Sequence, residues 1–276
     1  MALEGIKKTY WAARLPKQWR LALSDLAKGI KSWRIWGNLG LQDIRLRYRR
    51  SYLGPIWITI SMSVMVYSMG LFYSQLLKVH LADYFPYIAS GILIWTLISS
   101  LILELTDSFI EAENLIKQIK LPYSVYPLRV VSRNFLVFLH NVIAIVPLLI
   151  YFRVSICFFS FLFGLIVLAC YGLVYGLIFA LIGARFRDIK PIIASILQVS
   201  FFITPVMWMP EMIPDRFSFV FYLNPFYQII ELVRGPLIGT MPSLYNIMFN
   251  FILLVLGFLQ AFLLLIKARC RIAFWV

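Results

Sequence analysis

Six long apolar stretches dominate this 276-residue sequence. Each has about 20 residues, the length that an α-helix needs to cross the hydrocarbon core of a bilayer. Since 62% of the residues are apolar and only 14% are charged, one soluble core of this size could not hold them. The sequence predicts an all-α polytopic membrane protein, a single transmembrane domain over 1–276 with six transmembrane helices. The predicted crossings are 55–77, 84–103, 134–152, 156–183, 190–209 and 245–266.

The basic residues indicate which way these helices run. Six crossings put both chain ends on one side, and assigning that side to the cytoplasm leaves only four of the 26 Lys and Arg residues outside. The four are Lys78, Arg153, Arg216 and Arg234. This bias is typical of cytoplasmic loops, so we predict cytoplasmic termini and attribute the net charge of +14 to topology rather than to nucleic-acid binding. The membrane region, 55–266, then lies between a basic N-terminal segment, 1–54, and a cytoplasmic tail, 267–276.

The stretch before the first crossing has helical periodicity, with apolar residues at spacings of four and three. The apolar face comprises Trp19, Leu23, Leu26, Ile30 and Trp33. The polar face comprises Arg20, Asp25, Lys28, Lys31 and Arg34. This pattern predicts an N-terminal amphipathic helix in the membrane interface. Packing of the same face against another subunit is a compatible alternative.

The apolar segment 217–239 is divided by Asn224 and Pro225 into two pieces, each too short to span a bilayer. We predict an outer re-entrant helical hairpin. Glu231 and Arg234 stand three residues apart on its second half, where they can pair on one helix face and lower the cost of charge at membrane depth. The alternative, a seventh crossing, would move the basic C-terminus outside.

A short amphipathic helix is predicted in the loop after the second crossing, over 111–120. Its acidic residues come early and its lysines late, as the helix dipole favours, and Pro122 follows. Leu115, Ile116 and Ile119 form an apolar edge, and an exposed edge of this kind usually has a partner. We predict a cytoplasmic helix that contacts another protein.

The sequence offers no catalytic or metal-binding group. Grouped acids, a metal cluster or a nucleophile with its base, which a membrane enzyme needs, are not found, and neither is a G-x-x-x-x-G-K-[ST] nucleotide loop. Any ATP-driven work must therefore come from another subunit.

Aromatic residues make up 17% of the chain. Many lie inside the crossings, where a set of rings could form a carbohydrate conduit because sugar rings stack on aromatic faces. Simple packing is the alternative for any single ring. The candidate channel residues are Trp57, Tyr67, Tyr73, Trp95, Tyr171 and Tyr175.

Four segments together resemble the permease subunits of type-2 ABC (ABC-2) exporters, in particular the branch that exports O antigens, capsules and teichoic acids. They are the basic lead-in and Leu-Gly-Pro-Ile-Trp of 47–57, the loop 115–127, the Arg-Phe-Arg-Asp-Ile-Lys turn of 185–190, and Asn224-Pro225 with Arg234 and Gly239.

The resemblance implies a homodimeric permease in the bacterial inner membrane, with two separate ATPase subunits that bind ATP and Mg²⁺, and no cofactor on this chain. It implies a continuous channel for a lipid-linked polysaccharide. The implied ATPase contacts are Leu115, Ile116, Lys117, Ile119 and Lys120, with Leu26 and Ile30 on the neighbouring interface helix.

Four arginines crowd the chain just before the first crossing. Their planar donors suit the phosphate of a lipid-linked glycan, although positive-inside topology and binding to anionic membrane lipids explain them equally well. They are Arg45, Arg47, Arg49 and Arg50. Three alternatives stay open: an ABC exporter of drugs or lipids, an integral membrane enzyme of glycan biosynthesis, and a passive channel.

Overall fold

A computed structural model describes residues 18–276, which are mostly α-helical and contain no strand within this range. The helices are α1 (18–31), α2 (Trp33–Arg47), α3 (Ile56–Leu76), α4 (Leu81–Thr106), α5 (Ser108–Glu111), α6 (Glu113–Gln118), α7 (Val125–Tyr151), α8 (Phe158–Arg185), α9 (Ile189–Ile203), α10 (Phe219–Tyr222), α11 (Pro225–Leu237), α12 (Leu244–Ala268) and α13 (Ile272–Trp275). The prediction of an all-α membrane protein is confirmed.

Five helices are long and apolar enough to cross a membrane: α3, α4, α7, α8, and α12 continued through α13. The sixth predicted crossing, 190–209, is only partly helical, because α9 has 15 residues. At 1.5 Å per residue it reaches about 22 Å, short of a hydrocarbon core of about 30 Å. From Thr204 onward the chain leaves the α-helix. Six crossings therefore stay a prediction.

Helices α8 and α12 run parallel, with Tyr171 beside Asn250 and Tyr175 beside Leu253. Asp25 of α1 and Arg269, just after α12, meet at one end of the bundle. We call this the α1 end. Asn246 at the start of α12 contacts Gln228 of α11 at the other end, which we call the hairpin end.

The helix of the third predicted crossing extends beyond the predicted span. The crossing is predicted to begin at residue 134, and α7 begins at Val125. The two arginines in the added turns, Arg129 and Arg133, looked like loop residues in the sequence. They form ion pairs with acids from other helices, which lets the helix extend through them.

The predicted hairpin, 217–239, has a helix in its second half and one helical turn in its first, and its re-entrant position in the membrane stays a prediction. Helix α11 has 13 residues, too few to span, and Asn224 caps it by accepting N–H bonds from Phe226 and Tyr227. The first half is only a one-turn helix, α10, because Asn224 and Pro225 follow it closely. Gly239 then turns the chain at a φ of +91°, where a Cβ would lie 2.6 Å from the Ser155 carbonyl oxygen.

The amphipathic helices α1 and α2 lie against the start of α7. Gly40 of α2 makes this close approach possible, because a Cβ there would lie 2.2 Å from Ser132 Oγ. Ala22 and Gly29 form the corresponding small-residue contact face of α1. Trp19, Leu23, Ile30 and Trp33 remain 49–60% exposed, so much of the predicted apolar stripe is left for the membrane interface.

Candidate functional site

A buried group of charged residues joins three helices at the α1 end. Arg133 of α7 is 5% exposed. Its guanidinium donates to Glu104 Oε2 of α4 at 2.9 Å and to Asp43 Oδ2 of α2 at 3.2 Å. Arg129 Nε donates to the same Asp43 oxygen at 2.7 Å. Arg47 of α2 and Glu111 of α5 lie at its edge with side chains 48% and 45% exposed. We call the whole group the charge network.

The charge network balances its charges internally. Its three arginines face three carboxylates, and Asn134 adds a 2.6 Å hydrogen bond to Glu104 Oε2. Buried charges are tolerated where they are paired and hydrogen-bonded in this way. The network therefore fixes α2, α4 and α7 relative to one another.

The four predicted phosphate-binding arginines have two different roles in the structure. Arg47 Nη2 lies 3.2 Å from Glu104 Oε1 and belongs to the charge network. Arg45, Arg49 and Arg50 are exposed at the end of α2 and in the turn after it. Arg50 has a φ of +73°, a left-handed conformation that directs the chain from α2 toward α3. Within residues 18–276 these three form no ion pair, whereas Arg47 is paired on one side and keeps 48% of its side chain exposed.

Helix α6 carries the predicted ATPase contacts, and its apolar edge is only partly exposed. Leu115 and Ile116 pack against a core cluster that includes Ala22 and Phe109, whereas Ile119, at the end of the helix, is 49% exposed. Lys117 and Lys120 point to solvent. Lys117 pairs with Glu113, and this hydrogen bond lowers the pKa of the Glu113 carboxyl. The available surface is therefore one apolar side chain with lysines around it.

The structure also corrects the polar face of α1. Leu26 is half-buried against two core clusters and Ile30 is 51% exposed, but Asp25, predicted on the solvent side, is only 3% exposed. It accepts hydrogen bonds from the backbone of the loop that follows α6. Burial raises the pKa of the neighbouring Tyr123 hydroxyl.

Arg234 organises the hairpin end. Its side chain is fully buried and pairs with Glu231 Oε2 at 2.6 Å, as the spacing predicted. Its Nη1 donates to the Pro205 carbonyl at 2.7 Å, and its guanidinium lies over the Tyr87 ring at 3.9 Å. One cation thus holds α11, α4 and the chain after α9 together.

The non-helical chain after α9 is held by side chains from its neighbours. Tyr84 Oη donates to the Met207 carbonyl at 2.5 Å, and Tyr87 Oη lies 3.2 Å from the Pro205 carbonyl. Asn224 Nδ2 donates to Thr204 Oγ1 at 2.9 Å. Irregular backbone at membrane depth is tolerated only where protein satisfies its polar groups. These contacts meet that condition.

The six candidate channel aromatics do not line one surface of a single copy. Trp57, Tyr67 and Tyr73 lie along α3, and Trp57 is 47% exposed. Trp95 is buried on α4 between Phe201 and Phe226. Tyr171 and Tyr175 stack on each other on α8 and line a cavity of about 260 Å³ with residues of α4, α11 and α12.

That cavity is apolar. Tyr171 donates its hydroxyl proton to the Asn250 carbonyl at 2.9 Å, and Tyr175 donates to the Leu253 carbonyl at 3.0 Å. Asn250 and Asn246 in turn donate to Gln228, which ties α12 to α11. The tyrosine hydroxyls therefore hold helices together, and in this arrangement they do not offer hydrogen bonds to a sugar.

Sequence reasoning missed Asp25, Asp43, Arg129 and Arg133 as organising residues. One signal was present: Asp25 and Asp43 are isolated acids within a strongly basic segment, where a carboxylate has many potential partners. Their actual partners, 86 to 99 positions further along the chain, cannot be identified from local spacing.

Comparison with known proteins identifies the family. The sequence model of the ABC-2 type transporter family matches residues 37–238. The chain is 25% identical over 193 residues to an O-antigen export system permease protein RfbA of Klebsiella pneumoniae, covering 68% of this chain and 74% of that protein. It is 24% identical over 201 residues to the RfbA permease of Myxococcus xanthus, covering 70% and 76%. The matched region runs from α2 to the end of α11 and contains both the charge network and Arg234, so this chain belongs to the ABC-2 type transporter family of membrane proteins.

Proposed function

We propose that this chain is the transmembrane subunit of an ATP-driven exporter that moves a lipid-linked polysaccharide, such as an O antigen, across the bacterial inner membrane. The observation that carries the proposal is the similarity, over about two thirds of the chain, to proteins named O-antigen export permeases. The structure supports the proposal because its long helices suit a membrane and the charge network holds three of the helices together. The described segments between the helices are short and contain no large domain. The α1 end is the cytoplasmic end in this proposal, because the basic residues concentrate there.

ATP hydrolysis belongs to two separate ATPase subunits in this proposal. Their contact surface is α6, with exposed Ile119 and the solvent-facing Lys117 and Lys120, and with Leu26 and Ile30 of α1 beside it. A small apolar contact rimmed by lysines suits an acidic-rimmed groove, because opposite charges orient two proteins and speed their association.

The channel forms between two copies of the chain in this proposal. The outward side of α3 is largely uncovered in one copy, with Val64, Leu71 and Phe72 each more than half exposed. A second copy can bury this side and bring Trp57, Tyr67 and Tyr73 near their equivalents. Aromatic faces along such a path give a polymer several weak sites, which let it slide where one tight site would stall it.

Purification of the full chain from its own membranes tests the subunit composition. We expect two copies of this chain to be recovered with two copies of a nucleotide-binding ATPase, and ATP hydrolysis in the purified complex. A chain recovered alone that lets solutes pass without ATP would favour the passive channel, and glycan synthesis by the purified chain would favour the membrane enzyme. ATP-driven movement of a drug or a simple lipid, without a glycan, would favour the exporter of drugs or lipids.

The exposed arginines provide the first variant test. We expect Arg45→Gln, Arg49→Gln and Arg50→Gln together to lower the export rate at least about tenfold, because each charged hydrogen bond to phosphate contributes about 1.5–3 kcal/mol. The measurement is surface polysaccharide appearing with time, at equal amounts of inserted protein.

A matched variant separates this prediction from general attraction to anionic lipids. Lys28→Gln, Lys31→Gln and Arg34→Gln remove the same number of exposed charges from the neighbouring helices. Equal losses in the two triple variants would assign the arginines to lipid attraction. Export at the normal rate in the first variant would remove the phosphate role altogether.

A further inference from the structure

Asp25 connects three separate segments at the α1 end. Its carboxylate is 1% exposed. The two oxygens accept the backbone N–H groups of Tyr123 and Ser124, each at 3.0 Å. Arg269 Nε, just after α12, lies 3.4 Å from Oδ2. One buried side chain therefore joins α1 to the loop before α7 and to the chain after α12.

The hydrogen bonds fall at a mechanically important place. Tyr123 and Ser124 immediately precede α7, and the loop of residues 119–124 is the connection between α6 and α7. Backbone N–H groups at the start of a helix lack intrahelical partners, and a carboxylate there also interacts favourably with the helix dipole. Asp25 thus holds, from α1, the two residues that lead into α7 and places a carboxylate beside the N-terminus of that helix.

A glycine makes the same contact possible from the α1 side. Gly29 lies one turn after Asp25, and a Cβ at this position would be 2.0 Å from Ser124 Oγ. The Ser124 hydroxyl lies 2.9 Å from the backbone carbonyl of Asp25 and 3.0 Å from its Oδ1. Asp25 therefore binds Ser124, and Gly29 lets α1 approach the same serine because it has no side chain.

We propose that Asp25 is a positioning residue for energy coupling: it fixes the α6–α7 connection against α1 and the end of α12, so that a displacement of α6 moves these elements together. This inference rests on the proposed function, in which ATPase subunits contact α6, and it adds that their ATP-driven movement displaces this helix. A loop without this anchor would absorb the displacement by rotation about its own backbone bonds. With Asp25 in place, a contiguous set of hydrogen bonds transmits the displacement of α6 to the membrane helices.

Asp25→Asn in the complete exporter complex is the direct test. Asparagine keeps the shape of the side chain but has one acceptor oxygen, and it turns an NH₂ donor toward a backbone N–H. We expect the Tyr123 and Ser124 amides to exchange hydrogen at least about tenfold faster, since one charged hydrogen bond is lost. ATP hydrolysis by the purified complex is expected to stay within about twofold of the wild type, because the complex still assembles. Surface polysaccharide exported per unit of ATPase activity is expected to fall at least about fivefold, because the displacement of α6 no longer reaches the membrane helices.

Glycine variants provide an independent pair. Gly29→Ala is expected to reproduce the Asp25→Asn result by separating α1 from Ser124, and it decides the question if the Asn complex cannot be recovered. Gly37→Ala is the matched control, because nothing lies within 4 Å of a Cβ there, and it is expected to export normally.

The outcomes separate the inference from the function on which it rests. A wild-type complex that contains no ATPase, or that exports no polysaccharide, would overturn the proposed function. A different result would overturn only the role of Asp25. In that case the wild-type complex exports, Asp25→Asn and Gly29→Ala both speed exchange of the loop amides, and both variants keep the wild-type ratio of export to ATP hydrolysis. Unchanged amide exchange in both variants would also overturn it.

Discussion

Arg234→Met is expected to destabilise the protein by about 3–5 kcal/mol, the usual effect of removing one partner from a buried ion pair. Methionine fills similar space but leaves the Pro205 carbonyl without its 2.7 Å donor, Glu231 without its partner and the Tyr87 ring without its cation. The measurement is the apparent Tm of the detergent-purified protein, with an expected decrease on the order of 10 °C.

Two further variants make the Arg234 prediction specific. Glu231→Leu combined with Arg234→Met is expected to be more stable than Arg234→Met alone, because replacing both partners of a buried pair leaves no uncompensated charge. Arg216→Met removes an exposed arginine from the same end, and it is expected to change stability by no more than about 0.5 kcal/mol. Equal Tm values for Arg216→Met and Arg234→Met would contradict the assigned role.

Arg133→Leu is the second variant with a large expected effect, again a loss of about 3–5 kcal/mol. Arg133 is the member of the charge network that contacts both Asp43 and Glu104, so its loss leaves two carboxylates close together with less compensation. Arg133→Lys is expected to recover only part of the stability, because an ammonium group lacks the planar fork that reaches both acids. The readout is the free energy of unfolding in detergent.

Lys190→Leu is the matched control for Arg133. Lys190 pairs with Asp107 at the same end of α4, but the lysine side chain is 45% exposed. Exposed pairs contribute about 0–1 kcal/mol, so this variant is expected to lose far less stability than Arg133→Leu. Similar losses in both variants would mean that burial does not distinguish the two pairs.

The sequence predicted what depends on local pattern. Hydropathy located the membrane helices because a span needs about 20 apolar residues in succession. Spacing predicted the Glu231–Arg234 pair because residues three apart share one helix face. The Asn224 cap and Pro225 at the first helical position indicated where α11 begins.

The residues that the sequence did not reveal make contacts with residues distant in the sequence. Arg129 and Arg133 seemed to end an apolar run, yet their partner Asp43 lies 86 and 90 positions earlier. Asp25 seemed a solvent residue because helical periodicity reports only which face it occupies. The burial of that face depends on the backbone of Tyr123 and Ser124, about 98 positions later.

The end of α9 is a different case, because the sequence did contain the signal. Pro205 pushes the preceding residue out of the helical region, and Thr204 indeed has an extended ψ of 136°. Hydropathy alone continued the crossing to residue 209 because it measures composition and not backbone conformation. Tyr84, Tyr87 and Arg234 then supply the donors that an irregular segment needs.

Deleting this chain from its own cells and locating their long polysaccharide by fractionation and glycan blotting tests the central claim most directly. Export by this chain predicts polymer that is made at normal length but retained on the cytoplasmic side, with export restored when the chain is supplied again. Polymer missing from every fraction would contradict export and indicate a biosynthetic role, and normal surface polymer would contradict a polysaccharide cargo.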